Sequence, residues 1–188
     1  MAEMMPLERS SAIALPVMPA PVAIAVVPVT SRFILRGGPV IAKRAGDAFG
    51  AAVPTKPRAA IEADGRVAMW LGPDEWLLLA DSQDPAALTA NLEAALRDEP
   101  HSLVNISHRQ IGLTATGRGA PRLLSAGCPL DLSPDAFPVG MAARTVLAKA
   151  EIVLWRPSED TFRLEVWRSF AEYVVALLSE AARGLPDF

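Results

Sequence analysis

Ser107-His108-Arg109-Gln110 leads into Ile111-Gly112-Leu113-Thr114-Ala115-Thr116-Gly117, and then Arg118-Gly119-Ala120-Pro121-Arg122-Leu123-Leu124-Ser125-Ala126-Gly127-Cys128-Pro129-Leu130-Asp131-Leu132. Ile111, Leu113 and Ala115 alternate with polar or small residues, the period of a half-buried strand. Gly117 ends that strand, a short helix over 118–126 follows, and Gly127 is placed to close it. About 80 residues earlier the same design occurs: Phe33-Ile34-Leu35-Arg36 runs into Gly37, Pro39 opens a helix through Phe49, and Gly50 closes it. The stretch therefore predicts a unit used twice.

Working outward, Trp70-Leu71-Gly72-Pro73-Asp74-Glu75-Trp76-Leu77-Leu78-Leu79 reads as strand, tight turn and strand. Trp155-Arg156-Pro157-Ser158-Glu159-Asp160-Thr161-Phe162 repeats the pattern, with Trp155 aligned on Trp70. Each hairpin precedes a helix. Asp84-Pro85 supplies an N-cap and a proline at the first helical position, and Leu88, Leu92 and Leu96 share a face. Ser169-Phe170-Ala171-Glu172 reads as a capping box opening a helix over 169–183. Its expected apolar stripe is Phe170, Tyr173, Val174, Leu177, Leu178 and Ala181. A strand at 102–106 closes the first half; a long strand from Arg144 to Trp155 and another over 161–167 serve the second.

The fold class expected is α+β: two tandem split-βαβ, ferredoxin-like halves related by internal duplication, with mostly antiparallel sheet. The expected division is a flexible proline- and alanine-rich arm over 1–21, a first half over 22–106 and a second over 107–188, the two halves forming one compact body. Val22 to Val29 is expected to pair with Phe33 to Arg36.

With 188 residues, 51% of them apolar and 21% charged, the chain can bury a substantial core. A net charge of −3 excludes a surface built around nucleic acid. One cysteine, Cys128, excludes an internal disulfide framework and fits a reducing, cytoplasmic setting. Ser10 to Thr30 carries no charge, but Pro16, Pro19, Pro21 and Pro28 interrupt it. That disfavours an export signal or a membrane helix.

Catalytic apparatus is not legible. Gly117-Arg118-Gly119 stands where a dinucleotide fingerprint would, but Arg122 occupies the third glycine position and would block close helix–strand packing. Ser107 and His108 are strand neighbours pointing to opposite faces, so they do not form a nucleophile–base pair. His101, His108 and Cys128 have no metal-ligand spacing. Catalytic, cofactor-binding and metal-binding residues are therefore assigned as none. Candidate interface residues are His108 and Arg109 at the junction of the halves, and Arg163, Trp167 and Arg168. Trp167 shares a strand face with Arg163 and Glu165, opposite the aliphatic face of Phe162, Leu164 and Val166, and that face is expected to be exposed.

Five segments together resemble the gamma subunit family of heterotetrameric sarcosine oxidase, within the glycine-cleavage T-protein superfamily. They are Trp70 to Leu78, Ser107 to Gln110, Ala126 to Leu132, Ala143-Arg144-Thr145 and Phe162 to Phe170. The resemblance covers about 22–183. It implies an accessory subunit in a complex that oxidatively demethylates sarcosine to glycine, yielding hydrogen peroxide and either formaldehyde or 5,10-methylenetetrahydrofolate. It further implies alpha, beta and delta subunits as partners. FAD, FMN, NAD and tetrahydrofolate would then belong to the large subunits, and zinc to the small one. The chain also lacks the length for the C-terminal barrel of a complete T-protein. The alternative is a stand-alone folate-binding or folate-dependent protein of the same superfamily.

Overall fold

The computed structural model describes Ile13, Leu15 and residues 22–81 and 84–185. In chain order the elements are β1 (Ala23–Val26), β2 (Thr30–Gly37), α1 (Pro39–Phe49), β3 (Ala60–Ala63), β4 (Arg66–Gly72) and β5 (Glu75–Asp81). Then come α2 (Pro85–Leu96), β6 (His101–Asn105), β7 (Gln110–Thr116), α3 (Ala120–Ser125) and β8 (Ala142–Leu147). The chain continues through β9 (Ala150–Ser158), β10 (Thr161–Trp167), a 3-10 turn (Arg168–Phe170) and α4 (Ala171–Arg183).

Two antiparallel five-stranded sheets result, ordered β3-β4-β5-β2-β6 and β8-β9-β10-β7-β1. The orders correspond strand for strand, with α1 following β2 as α3 follows β7, and α2 following β5 as α4 follows β10. The α+β class and the repeated plan are both present. One expectation is overturned. β1 does not pair with β2 but with β7, at Ala23↔Thr116 through Val26↔Leu113. It fills in the second sheet the place that β6 fills in the first. The first strand of the chain is thus the last of the second half in space. Sequence proximity favoured a local hairpin, but the apolar residues Val22 and Ile24 are buried in the second half's core, and Ile13 and Leu15 pack against the same core. The rest of the 1–21 arm lies outside the described residues.

Strand alternation builds four layers. In β5, Trp76, Leu78 and Ala80 face α1 and α2, while Leu77 and Leu79 face the other sheet. In β9, Ile152 and Leu154 face α3 and α4, and Val153 and Trp155 face inward between the sheets. The order is helices, sheet, sheet, helices. Two backbone bonds stitch the sheets at one edge, Ala60 N–H to Gly140 O and Ala142 N–H to Arg58 O, each 2.8 Å. The two hairpins occupy equivalent places, yet their tryptophans are out of step. Trp70 packs on the helix side and Trp155 between the sheets.

Local signals explain most boundaries. Asp84 Oδ1 accepts the Ala86 N–H at 2.8 Å, and α2 buries Leu88, Leu92 and Leu96. Removing that cap with Asp84→Ala is expected to cost about 1 kcal/mol. Urea unfolding of the purified chain would read it as a lower midpoint at unchanged slope. Asp64 and Gly65 both take positive φ, 48° and 72°, making the tight turn between β3 and β4 that a two-residue hairpin favours. Asp131 accepts the Ser133 N–H at 2.9 Å. Bonds from the Ser133 backbone, then from its side chain, hold the Asp131 carboxyl below its usual range.

Two further expectations fail. The long strand from Arg144 to Trp155 is a hairpin, β8–β9, turning at Ala148, which takes φ 51°. Neither Ala148 nor Lys149 is a residue that marks a turn, so the run reads as continuous. No capping box forms either: Ser169 lies within the 3-10 turn, and α4 starts at Ala171 with no side-chain cap. Its buried stripe is Ala171, Val174, Val175, Leu178 and Ala182, which leaves Phe170 and Tyr173 outside.

Candidate interaction surface

β7 begins where β10 ends, with Gln110 opposite Trp167. The chain reaches β7 through a turn in which Arg109 N–H donates to Ile106 O at 2.9 Å. That turn is bound to the 3-10 turn after β10. Arg168 N–H donates to Arg109 O at 2.8 Å, and Arg168 Nε to His108 O at 3.1 Å. His108, Arg109, Trp167 and Arg168, far apart in sequence, therefore converge on one end of the second sheet. The Arg109 guanidinium carbon stands 4.8 Å from the Trp167 ring centroid, a cation–π contact of about 0.5–1 kcal/mol at an exposed site. Trp167, Phe170 and Tyr173 are 38%, 40% and 37% exposed. Beside them Gln110 is 94% buried by its 6% exposure, and its Oε1 has no hydrogen-bond partner.

Arg163 does not join this surface. The β10 face carrying Arg163 and Glu165 meets the other sheet, not solvent, so both are buried. Arg163 Nε donates to Glu165 Oε1 at 2.8 Å and Arg32 Nε to Glu165 Oε2 at 2.5 Å. Arg32 Nη1 also donates to Thr30 O at 2.9 Å. One carboxylate thus links an arginine from each sheet. Gly112 makes room: a Cβ there would come within 2.9 Å of Val27 Cβ and 3.1 Å of Arg32 Nη2. Trp167, at the end of the strand, is exposed. Strand alternation alone does not reveal which polar face has a second sheet over it.

Phe170, Tyr173 and Gln110 are additions. The helical signal for the first two was present, since Ala171, Val174, Val175, Leu178 and Ala182 form a cleaner 3.6-residue stripe than the one expected. Ser107 is committed to structure: its Oγ accepts the Arg32 N–H at 3.0 Å and donates to Asn105 Oδ1 at 2.7 Å. Ser107 is buried and His108 exposed, on opposite sides of the turn. Among the described residues no three of His, Cys, Asp and Glu converge as metal ligands. No helix among the described residues is long and apolar enough to cross a membrane. A groove of about 520 Å³ beside α1, lined by Pro39, Lys43, Asp47 and Thr55, includes none of the candidate residues.

The architecture is that of the T-protein fold. Aminomethyltransferase T of the glycine cleavage system from Bartonella henselae shares it with a TM-score of 0.64 at 14% identity, over 86% of this chain and 49% of that one. At that identity the likeness concerns fold alone. The family model described as "Sarcosine oxidase, gamma subunit family" matches residues 37–183, and the chain belongs to that family. Sarcosine oxidase subunit gamma of Corynebacterium sp. strain P-1 is 40% identical over 118 residues, 63% of this chain and 57% of its own. The Arthrobacter sp. subunit is 37% identical over 119 residues, 63% and 58%. The matched region thus spans little more than half of these relatives. A chain of heterotetrameric sarcosine oxidase from Corynebacterium sp. U-96, solved with pyrrole 2-carboxylate, superposes with a TM-score of 0.81 at 31% identity. That match covers 89% of this chain and 87% of the other.

Proposed function

We propose that this chain is the gamma subunit of a cytoplasmic heterotetrameric sarcosine oxidase and supplies contact surface, not catalytic groups. The observation that carries this is the superposition with the heterotetrameric enzyme's chain over nearly the full length of both. The complex would oxidise the N-methyl group of sarcosine with dioxygen and water, releasing glycine, formaldehyde and hydrogen peroxide. With tetrahydrofolate present, the one-carbon unit would leave as 5,10-methylenetetrahydrofolate. Alpha, beta and delta subunits would be the partners. FAD, FMN, NAD and tetrahydrofolate would sit in the large subunits and zinc in the small one.

Within that reading, His108, Arg109, Trp167 and Arg168 form the contact, joined by Phe170. Arginine and aromatic side chains suit the role because they bury large area and still hydrogen-bond. Affinity purification of the tagged full chain from its native host is expected to bring down a flavin-containing partner with sarcosine-dependent oxygen uptake. Recovery of the chain with no flavoprotein would overturn the reading.

A further inference from the structure

Of the four sheet edges, β6 lacks the features that keep an edge from pairing. β3 and β8 carry Glu62 and Arg144, and backbone bonds from Ala60 to Gly140 and from Ala142 to Arg58 tie that side of the two sheets together. β1 has four residues and stands between Pro21 and Pro28. From His101 to Ile106, by contrast, there is no acid, lysine, arginine or proline, the residues that guard an exposed edge. Among the described residues β6 pairs with β2 on one side and with no strand on the other. Ile106 N–H donates to Arg32 O at 2.8 Å. Alternation along the antiparallel ladder therefore turns the N–H and C=O groups of Leu103 and Asn105 away from β2. Among the described residues no backbone bond outside the helices and sheets reaches those groups. Val104, beside Ile34 in register, is 49% exposed. The start of the strand is held in place: His101 Nδ1 lies 2.8 Å from Glu99 O and Nε2 3.1 Å from Glu93 Oε2.

A row of outward donors and acceptors beside a half-exposed valine is complementary to an extended backbone that brings an apolar side chain. Area decides where that backbone comes from. Five residues of edge fall far short of the about 1,200–2,000 Å² that a free-standing specific interface buries, so this edge alone does not hold a second copy of the chain. A subunit held elsewhere needs no more, and the strand runs directly into the turn that carries His108 and Arg109, the contact proposed above. Resting on that subunit assignment, we infer that the outer edge of β6 receives an extended segment of a partner subunit as a sixth strand of the first sheet. The segment's backbone pairs with Leu103 and Asn105, and one of its apolar side chains covers Val104.

The test is amide hydrogen exchange of the full chain, alone and bound to the flavin-containing partner assembly, with the affinity of two variants measured beside it. The Leu103 and Asn105 amides are expected to exchange at least about tenfold more slowly in the complex. Those of Ser102 and Val104, already bonded to β2, are expected to be protected in both states. Val104→Lys is expected to raise the dissociation constant about tenfold, because it sets a charge where a valine would be buried. Leu103→Pro is expected to do the same by removing an outward donor while leaving the β2 ladder intact. Thermal unfolding of each variant alone reports whether it folds, and Val104→Lys, at an exposed site, serves if Leu103→Pro does not. Amides at 103 and 105 that exchange equally fast in the bound chain would overturn the inference while leaving the subunit assignment intact. A folded Val104→Lys chain that binds like the unmodified one would overturn it too. So would protection that grows with the concentration of the chain alone and does not change on adding the flavoprotein, since the occupant would then be a second copy. Failure of the unmodified chain to bind the flavoprotein would strike the assignment and the inference together.

Discussion

Replacing Glu165 with alanine is expected to destabilise the isolated chain by about 3–5 kcal/mol, the range for breaking a buried ion pair from one side. The Glu165 side chain is 1% exposed and that of Arg32 4%, so water cannot replace the lost carboxylate. Arg32, from the first sheet, and Arg163, from the second, would face each other between the layers with no counter-charge at Glu165. Arg163 keeps a distant carboxylate, Asp81, at 3.9 Å, but that group is largely exposed and weakly coupled. Against a total of about 5–15 kcal/mol, such a loss leaves the two-sheet body marginal or unfolded at room temperature. Replacing Arg32, Glu165 and Arg163 together by methionine or leucine is expected to recover much of the loss, because what costs is the unpaired charge and not the missing pair. Urea unfolding of both variants checks this. A change below about 1 kcal/mol for Glu165→Ala would mean that the triad behaves like a surface pair.

The second large effect falls on assembly. Trp167→Ala is expected to weaken association with the partner subunits by about 2 kcal/mol or more, the size of loss seen when a central aromatic anchor is truncated. That corresponds to roughly a thirtyfold higher dissociation constant. The indole is 38% exposed in the isolated chain and carries the Arg109 guanidinium on its face, so truncation removes the platform and releases the arginine together. Folding should be little affected, because the body of the core around Phe162, Leu164 and Val166 faces the other way. Analytical gel filtration across a dilution series reads the shift. Unchanged assembly would remove Trp167 from the contact.

How much of this was legible in the sequence follows from the range of each signal. Local chemistry gave the boundaries it controls: Pro39 and the glycine at 50 bracket α1, and Asp84-Pro85 opens α2. The repeat showed because Gly37 and Gly117 punctuate equivalent strands. What escaped was non-local. Nothing in Val22 to Val29 says that it pairs with β7, some 90 residues on, instead of its neighbour. The Arg163–Glu165 face is polar, and polarity alone predicts solvent, whereas an arginine on the other sheet makes it a buried layer. The Ala148-Lys149 turn carries no turn residue. For the candidate surface, four of the five expected residues meet at one sheet end; the fifth, Arg163, belongs to the interior.

The central claim, that this chain lends surface and not reacting groups to a sarcosine oxidase, is tested most directly by sarcosine-dependent oxygen uptake normalised to bound flavin. The measurement uses complex assembled with saturating Trp167→Ala chain beside complex assembled with the unmodified chain. The account predicts equal rates per flavin once assembly is complete, with the deficit confined to the concentration needed to reach it. Complete assembly with a rate lowered by orders of magnitude would place the side chain in the reaction and contradict the account.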